Sequence, residues 1–489
     1  MTGLIMAAQL LLGLSILVVL HEFGHYLFAR MFKIRVEQFY LFFNPKIALF
    51  RAKRVNGKWQ FRLFAKNVPS RFRKKTNDQG NEIKDEKGNY IFEPIPLEEL
   101  SDNDWRKYPE TTEWGIGWLP FGGYCNIAGM IDENKRANQL SSEPQPWELR
   151  SKPAWQRLFV MIGGIIMNLV LGCALFVFFT YHYVGGYIAN DDVSKDGIYV
   201  YEAGRNLGFE TGDKIVTVNG NKIVRFGDAQ KTKVLFGSEI TVERNGQFID
   251  ITLPDTTYRI MQHSGNLFAG NNFPAVVDSV TPNSVAMRSG LQHDDHIIFI
   301  NDKEIKSLGA LQSELKNVVK QEIVVGVIRQ QDTVELTLQM DSIPALGFIN
   351  KIHYNPVHYT IGQSFKYGIS DAMDMLSANV KGLGKIIKGT EKATESLQGP
   401  IGIATIYGGV WEWSRFWYIT AMISLILAFM NILPIPALDG GHVVFILVEI
   451  FTGRKPSDKV LETAQIVGMV IVISLMFFVI GNDIFKLFR

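Results

Sequence analysis

Four stretches of the chain are apolar for long enough to cross a hydrocarbon core, which takes about 20 residues of helix: 3–28, 157–184, 416–446 and 462–487. The third is interrupted by Pro434 and Pro436, so the pattern predicts a broken helix there rather than a continuous one. Between the spans the periodicity changes. "RAKRVNGKWQFRLFAK" (51–66) alternates polar and apolar positions on both sides of Asn56–Gly57, the pattern of a hairpin closed by a type I′ turn. The segment 74–104 is charged and poor in large apolar residues and reads as a solvated excursion. Residues 357–397 carry apolar residues at helical spacing with basic residues between them, which predicts an amphipathic helix at a membrane surface.

A second periodicity lies between the second and third spans. "LGFETGDKIVTVNG" (207–220) and "SGLQHDDHIIFIND" (289–302) share one frame, with Asp at the seventh position and a strand running into Asn. Each is followed by a strand-like segment that contains an Arg, "ITVERNGQFIDITL" and "VVGVIRQQDTVELTL". Two copies of one small β-rich module follow from this.

Composition sharpens the class. The 489 residues are 47% hydrophobic and 20% charged, with a mean hydropathy of +0.07, which suits a chain of membrane spans joined to water-soluble modules. A net charge of +2 gives no grounds for a nucleic-acid partner. Two cysteines, Cys125 and Cys173, exclude a disulfide framework. The first apolar run lacks a basic n-region and a small-residue cleavage site, so it is expected to stay in the mature protein. Arg30, Lys33 and Arg35 follow the first span, and Arg150, Lys152 and Arg157 crowd the start of the second. The positive-inside rule then puts 31–156 in the cytoplasm, with 185–415 and both chain ends on the other side.

The chemistry sits where a span should be purely apolar. In "LHEFGHYLFAR" (20–30), His21 and His25 fall four apart on one helical face, so both imidazoles reach one metal ion, while Glu22 projects beside them as a base. Ionisable residues inside a span are costly and mark function. A catalytic zinc site needs a third protein ligand and an open position, and nothing after His25 supplies one. "NILPIPALDGGH" (431–442) offers Asp439 and His442 on broken backbone at similar depth.

These strings, together with "WLPFGGY" (118–124), "GGIIMN" (163–168) and "QGPIGIA" (398–404), occur in the order seen in the site-2 proteases. The chain resembles that family of intramembrane zinc metalloproteases, and in particular its bacterial type with tandem PDZ domains. The resemblance implies a polytopic α-helical membrane protein with four transmembrane helices, a re-entrant β-sheet and two extracytoplasmic β-rich PDZ-like domains. The chain then divides into 1–50, a cytoplasmic insertion 51–113 where it departs from the family's short connection, a re-entrant β-loop and linker 114–156, the second transmembrane helix 157–184, PDZ-like domains 185–256 and 257–343, a linker 344–415, and two further helical segments, 416–450 and 451–489. The resemblance implies His21, His25 and Asp439 as ligands of Zn2+, and Glu22 as catalytic base. Asn431, Gly122, Gly123, Tyr124 and Asn168 would bind the substrate, with Gly164 standing where the family usually has Pro. The implied partners are the transmembrane segment of a single-pass protein, the lipid bilayer, and a peptide or C-terminus at the PDZ-like domains. The implied location is a bacterial cytoplasmic membrane. The rival reading is a membrane-anchored PDZ scaffold with structural or no zinc.

Overall fold

The computed structural model describes residues 2–68, 72–75, 82–83, 92–130, 144–264, 268–282, 284–351 and 357–487. Much of the charged stretch 74–104 lies outside the described residues. The chain forms two compact units, one made of residues 1–179 and 392–489, the other of 180–391.

Five long helices shape the described part of the first unit, numbered here within it: α1 (Thr2–Met31), α2 (Ala154–Phe179), α3 (Trp413–Ile432), α4 (Asp439–Thr452) and α5 (Asp458–Leu487). Among the described residues, four stretches are long and apolar enough to span a bilayer: Thr2–Met31, Ala154–Val184, Trp413–Ile432 and Lys459–Lys486. The expected third span, 416–446, is thus two helices. Pro434 and Pro436 lack the N–H groups a helix would need, and between them and Asp439 the backbone turns through Ala437 at φ +78°, a left-handed conformation that is costly for a residue with a Cβ.

Helix α2 is central: α1, α3 and α4 all pack on it. The α1–α2 contact depends on missing side chains. A Cβ on Gly24 would stand 2.2 Å from the Gly163 carbonyl oxygen, and one on Gly163 2.6 Å from that of Gly24. Small residues are what let two helix backbones meet in a membrane. Helix Pro400–Tyr407, from the "QGPIGIA" string, is capped by Asp483 of α5, which accepts hydrogen bonds from the Gly399 and Gly402 N–H groups, both at 2.9 Å. A carboxylate at a helix N-terminus satisfies donors that have no partner within the helix.

Beside α1 stands a sheet of β1 (Val36–Phe43), β2 (Ile47–Val55), β3 (Lys58–Lys66), β4 (Glu113–Ile116) and β5 (Leu119–Ile127), in the order β3-β2-β4-β1-β5. The hairpin expected over 51–66 is β2–β3, closed at Val55–Lys58 through Asn56 and Gly57, both at positive φ. Strand β4 slots between β1 and β2, parallel to the first and antiparallel to the second. That leaves β5 and β3 as the two edges.

The second unit contains the repeat. Strands Lys214–Val218, Asn221–Lys222, Glu239–Arg244 and Gln247–Thr252 form one four-stranded sheet, and His296–Ile300, Lys303–Glu304, Glu322–Arg329 and Asp332–Gln339 form another. In both, the sheet order is second, first, third, fourth. Even the register shift recurs, between Ile215 and Thr217 in one copy and Ile297 and Phe299 in the other. The shared Asp and Arg meet in each copy. Buried Asp213 receives Arg244 at 2.6 and 2.8 Å, and buried Asp295 receives Arg329 at 2.8 and 2.7 Å. The residue before each Asp, Gly212 or Asp294, has positive φ, which Gly and Asp tolerate best. Each copy has its own apolar core. Closing strand pairs carry the copies past 256 and 343: Ala269–Asn271 pairs with Ile198–Val200, and Phe348–Asn350 with Val277–Val280. The amphipathic pattern of 357–397 is realised as one long helix, Ile361–Ile387, opened by a Thr360/Gln363 capping box.

Candidate metal centre

The helix that begins at Asp439 starts where it does because the chain folds back on itself. A Cβ on Gly440 would stand 2.2 Å from the Leu433 oxygen, and one on Gly441 2.6 Å from Pro436 Cα. The prolines break the span, the two glycines let the broken strand lie against the next helix, and Asp439 is left in the first turn of α4 facing α1.

There it meets both histidines. His21 Nε2 lies 3.2 Å and His25 Nε2 3.4 Å from Asp439 Oδ2, and the two nitrogens are 3.3 Å apart. No other group of three or more such side chains converges this closely among the described residues. Four ligands placed tetrahedrally about zinc at 2.0–2.1 Å are separated by about 3.3 Å, so the three spacings match the edges of one face of a zinc site. The donor chemistry matches too. Asp439 Oδ2 is buried without a hydrogen-bond donor, and three acceptors converging in this way suit a cation that satisfies all of them together.

What holds the imidazoles is equally local. His25 Nδ1 lies 2.8 Å from the Val160 carbonyl of α2, so Nδ1 carries the proton and Nε2 is left as the ligand atom. His21 Nδ1 lies 3.2 Å from the side-chain amide of Asn168, also of α2. With His21 Nε2 turned to Asp439, Nδ1–H requires an acceptor. Asn168 Oδ1 is buried and otherwise without a partner, and a half-turn of the amide brings it to Nδ1. Gly164 closes the set: a Cβ there would stand 2.5 Å from His21 Cε1 and 2.6 Å from His25 Nε2.

Glu22 is turned to the sheet. Its carboxyl lies close to the Cys125 backbone amide of β5, the edge strand next to α1. Gly123 is the close approach that permits this, since a Cβ on it would stand 2.8 Å from Val18 Cγ1 of α1. Gly122 takes φ +97°. Tyr124 points the other way: its ring stacks on Tyr40 at 5.1 Å and its hydroxyl donates to Asn44 Oδ1 at 2.9 Å, on the face of the sheet opposite α1. Asn431 lies in the last turn of α3, just before the proline break. His442 lies one turn beyond Asp439, outside the cluster, on the wall of a cavity of about 320 Å³.

Sequence patterning missed Gly24, Gly163, the Val160 carbonyl and the Cys125 N–H. The signal for the glycines is present, as Gly inside the His-Glu-x-Gly-His string and a Gly-Gly pair inside the second span. Backbone carbonyl and amide groups leave no such signal.

Residues 9–71 and 104–475 match the profile of Peptidase family M50. The chain is 25% identical over 516 residues to the regulator of sigma-E protease RseP of Escherichia coli, with 98% of each chain covered. It is 26% identical over 511 residues to the protease RseP of Yersinia pestis, again with 98% of each covered. A Treponema pallidum protein named "Putative zinc metalloprotease" is 27% identical over 412 residues, 78% of this chain and 90% of the other. With an apolar helix carrying the paired histidines and a profile spanning most of its length, the chain belongs to peptidase family M50, the site-2 proteases, and is an intramembrane zinc metalloprotease.

Proposed function

We propose that His21, His25 and Asp439 hold the zinc and that Glu22 is the general base of peptide hydrolysis. The observation that carries this is the convergence of three ligand atoms at 3.2–3.4 Å, with Glu22 beside them and near the edge strand β5. Zinc held by such a set supplies Lewis-acid chemistry to a peptide carbonyl and to water. Glu22 takes the proton of the attacking water at its carboxylate and returns it to the leaving amide nitrogen. Asn168 orients His21 rather than touching the substrate.

The substrate in this reading is the membrane-spanning segment of a single-pass protein. Such a helix keeps its carbonyls in its own hydrogen bonds and must unwind before it is cut. The open edge of β5, with Gly122 and Gly123 keeping it clear of side chains, offers replacement backbone partners, and Asn431 at the end of α3 receives the unwound segment. Residues 31–156 face the cytoplasm of a bacterial inner membrane. The two repeated modules act on the other side as PDZ-like domains that take a peptide or C-terminus, or turn away substrates with a bulky outer domain. A relative named for the regulation of sigma-E makes a trimmed anti-sigma factor the first substrate to try, with remnant signal peptides next.

Glu22→Gln in purified, reconstituted protein is expected to retain about one zinc per chain and to lose cleavage of a model transmembrane substrate. Normal cleavage by that variant would refute Glu22 as the base.

A further inference from the structure

The sheet beside α1 has two unlike faces. Register partners put Cys125, Phe39, Trp114, Ala52 and Phe61 in one row across all five strands, and Ile116, Phe50 and Leu63 in the next. At the β1–β4 end this face is covered by α1: the Tyr26 ring lies 6.0 Å from Phe39 and 5.0 Å from Trp114. At the β3 end no described residue covers it, with Trp59 54%, Phe61 64% and Leu63 68% exposed. Phe61 lies two strands beyond Trp114, about 10 Å at the usual strand spacing. On the opposite face of β3, Trp105 Nε1 donates to Gln60 at 2.7 Å and Arg62 sits 4.2 Å over the Trp105 ring, while Phe64 nearer the end of the strand is exposed.

Depth and charge identify what covers the apolar face. Tyr26 stands five residues before the end of α1, about 7.5 Å along the helix axis, so the covered part of the face lies at the level where the span leaves the hydrocarbon. Water is a poor neighbour for three adjacent large apolar side chains. Lys58 and Lys66 bracket β3, and Arg54 pairs with Trp59 across the hairpin. Aromatic rings with flanking cations are the composition of a membrane–water interface carrying anionic lipid.

We infer that the Trp59–Phe61–Leu63 face of β3 is seated in the bilayer interface beside the end of α1, with Lys58, Lys66 and Arg54 on anionic headgroups. This rests on α1 being a membrane span, not on the assignment of the metal ligands. The contact anchors one edge of a sheet whose other edge, β5, packs on α1 near Glu22, so the bilayer sets the position of the edge strand relative to the base.

The test uses the full chain with Cys125 and Cys173 replaced by Ser, single cysteines at 56, 61, 62 or 63, and a nitroxide label, in nanodiscs of phosphatidylethanolamine and phosphatidylglycerol. Oxygen accessibility several-fold above that of a water-soluble nickel chelate is expected at 61 and 63, with the reverse at 56 and 62. Positions 61 and 63 as open to nickel as 56 would overturn the proposal. So would closure to both reagents, which would mean that protein covers the face. A second measurement keeps the native cysteines: the fluorescence lost in Trp59→Phe, taken as a difference from the unmodified chain, is expected to be quenched by lipid brominated near the headgroup and not by aqueous iodide. Quenching by iodide alone rejects the interface. The same quenching in purely zwitterionic lipid rejects the role given to the three cations.

Discussion

The aspartates of the repeated modules and Asp439 of the metal centre meet burial in opposite ways. Asp213 and Asp295 in the repeated modules are fully enclosed, yet every oxygen is accounted for. Each receives two bonds from an arginine, and each also accepts a backbone N–H, from Glu210 or Gln292, at 2.8 Å. Asp439 faces two imidazole nitrogens and has an oxygen with no donor. Burial of charge therefore does not by itself mark a site. A buried charge left unsatisfied by its own chain does, because only a ligand can offset the cost of its desolvation.

The sharpest way to break this contrast is to remove the carboxylates in turn. Asp439→Ala should lose bound zinc and with it essentially all cleavage, at least about a thousand-fold on the scale of a lost catalytic group, while the melting of the repeated modules stays unchanged. Zinc content by atomic absorption together with a cleavage assay checks both halves. Full zinc occupancy in an inactive Asp439→Ala protein would give the third ligand to another residue.

Arg329→Ala makes the opposite prediction. It leaves Asp295 buried and unpaired, which costs about 3 kcal/mol, so the second module should unfold at lower denaturant concentration while zinc stoichiometry stays the same. A fall in zinc content would mean that the module supports the metal centre, and the contrast would fail.

Asn168 sharpens the comparison from within the metal unit. As the acceptor for His21 Nδ1–H it belongs to the outer shell, where substitutions cost about 10–100-fold in metal affinity or activity. Asn168→Ala should weaken zinc retention against a competing chelator by that factor, and Asn168→Asp, which keeps the acceptor, should recover most of it. A residue that touched only substrate would alter KM and leave retention alone.

How much of this was legible in the sequence follows from how local each feature is. His21 and His25 are fixed by one helix repeat, so spacing alone put them on one face with Glu22 beside them. The β2–β3 hairpin was equally readable, because Asn56–Gly57 sets its own turn. Asp439 was readable as a candidate from the prolines before it, while its choice over His442 needed the likeness to a family. The insertion of β4 between β1 and β2 was not readable, since strand order in a sheet depends on partners more than 60 residues away. Nor was the outward turn of Tyr124, which follows from the register with Tyr40. Gly164 looked like a departure from the family string until its neighbours were known: the rings of His21 and His25 occupy the space a side chain would need.

The smallest expected effect lies in the repeated unit and depends on pH. Asp371 of helix Ile361–Ile387 accepts from Arg225 at 2.6 and 3.0 Å and from Lys231 at 2.6 Å. Burial alone would raise its pKa, but the bonds from Arg225 and Lys231 outweigh it and hold the carboxyl below its ordinary value. A carboxyl depressed in the folded state contributes stability above its unfolded pKa, near 3.9, and that contribution disappears as pH falls through the lower folded value. The docking of this helix on the first module should therefore be flat from pH 7 to about 4 and weaken only below that. Asp371→Asn should lose roughly 1.5 kcal/mol of it already at pH 7, the scale of a charge-assisted hydrogen bond, and should show little further loss on acidification. Hydrogen exchange of the helix amides across that range reads both outcomes. If the unmodified chain loses protection between pH 7 and 5, the latch is governed by a group other than Asp371.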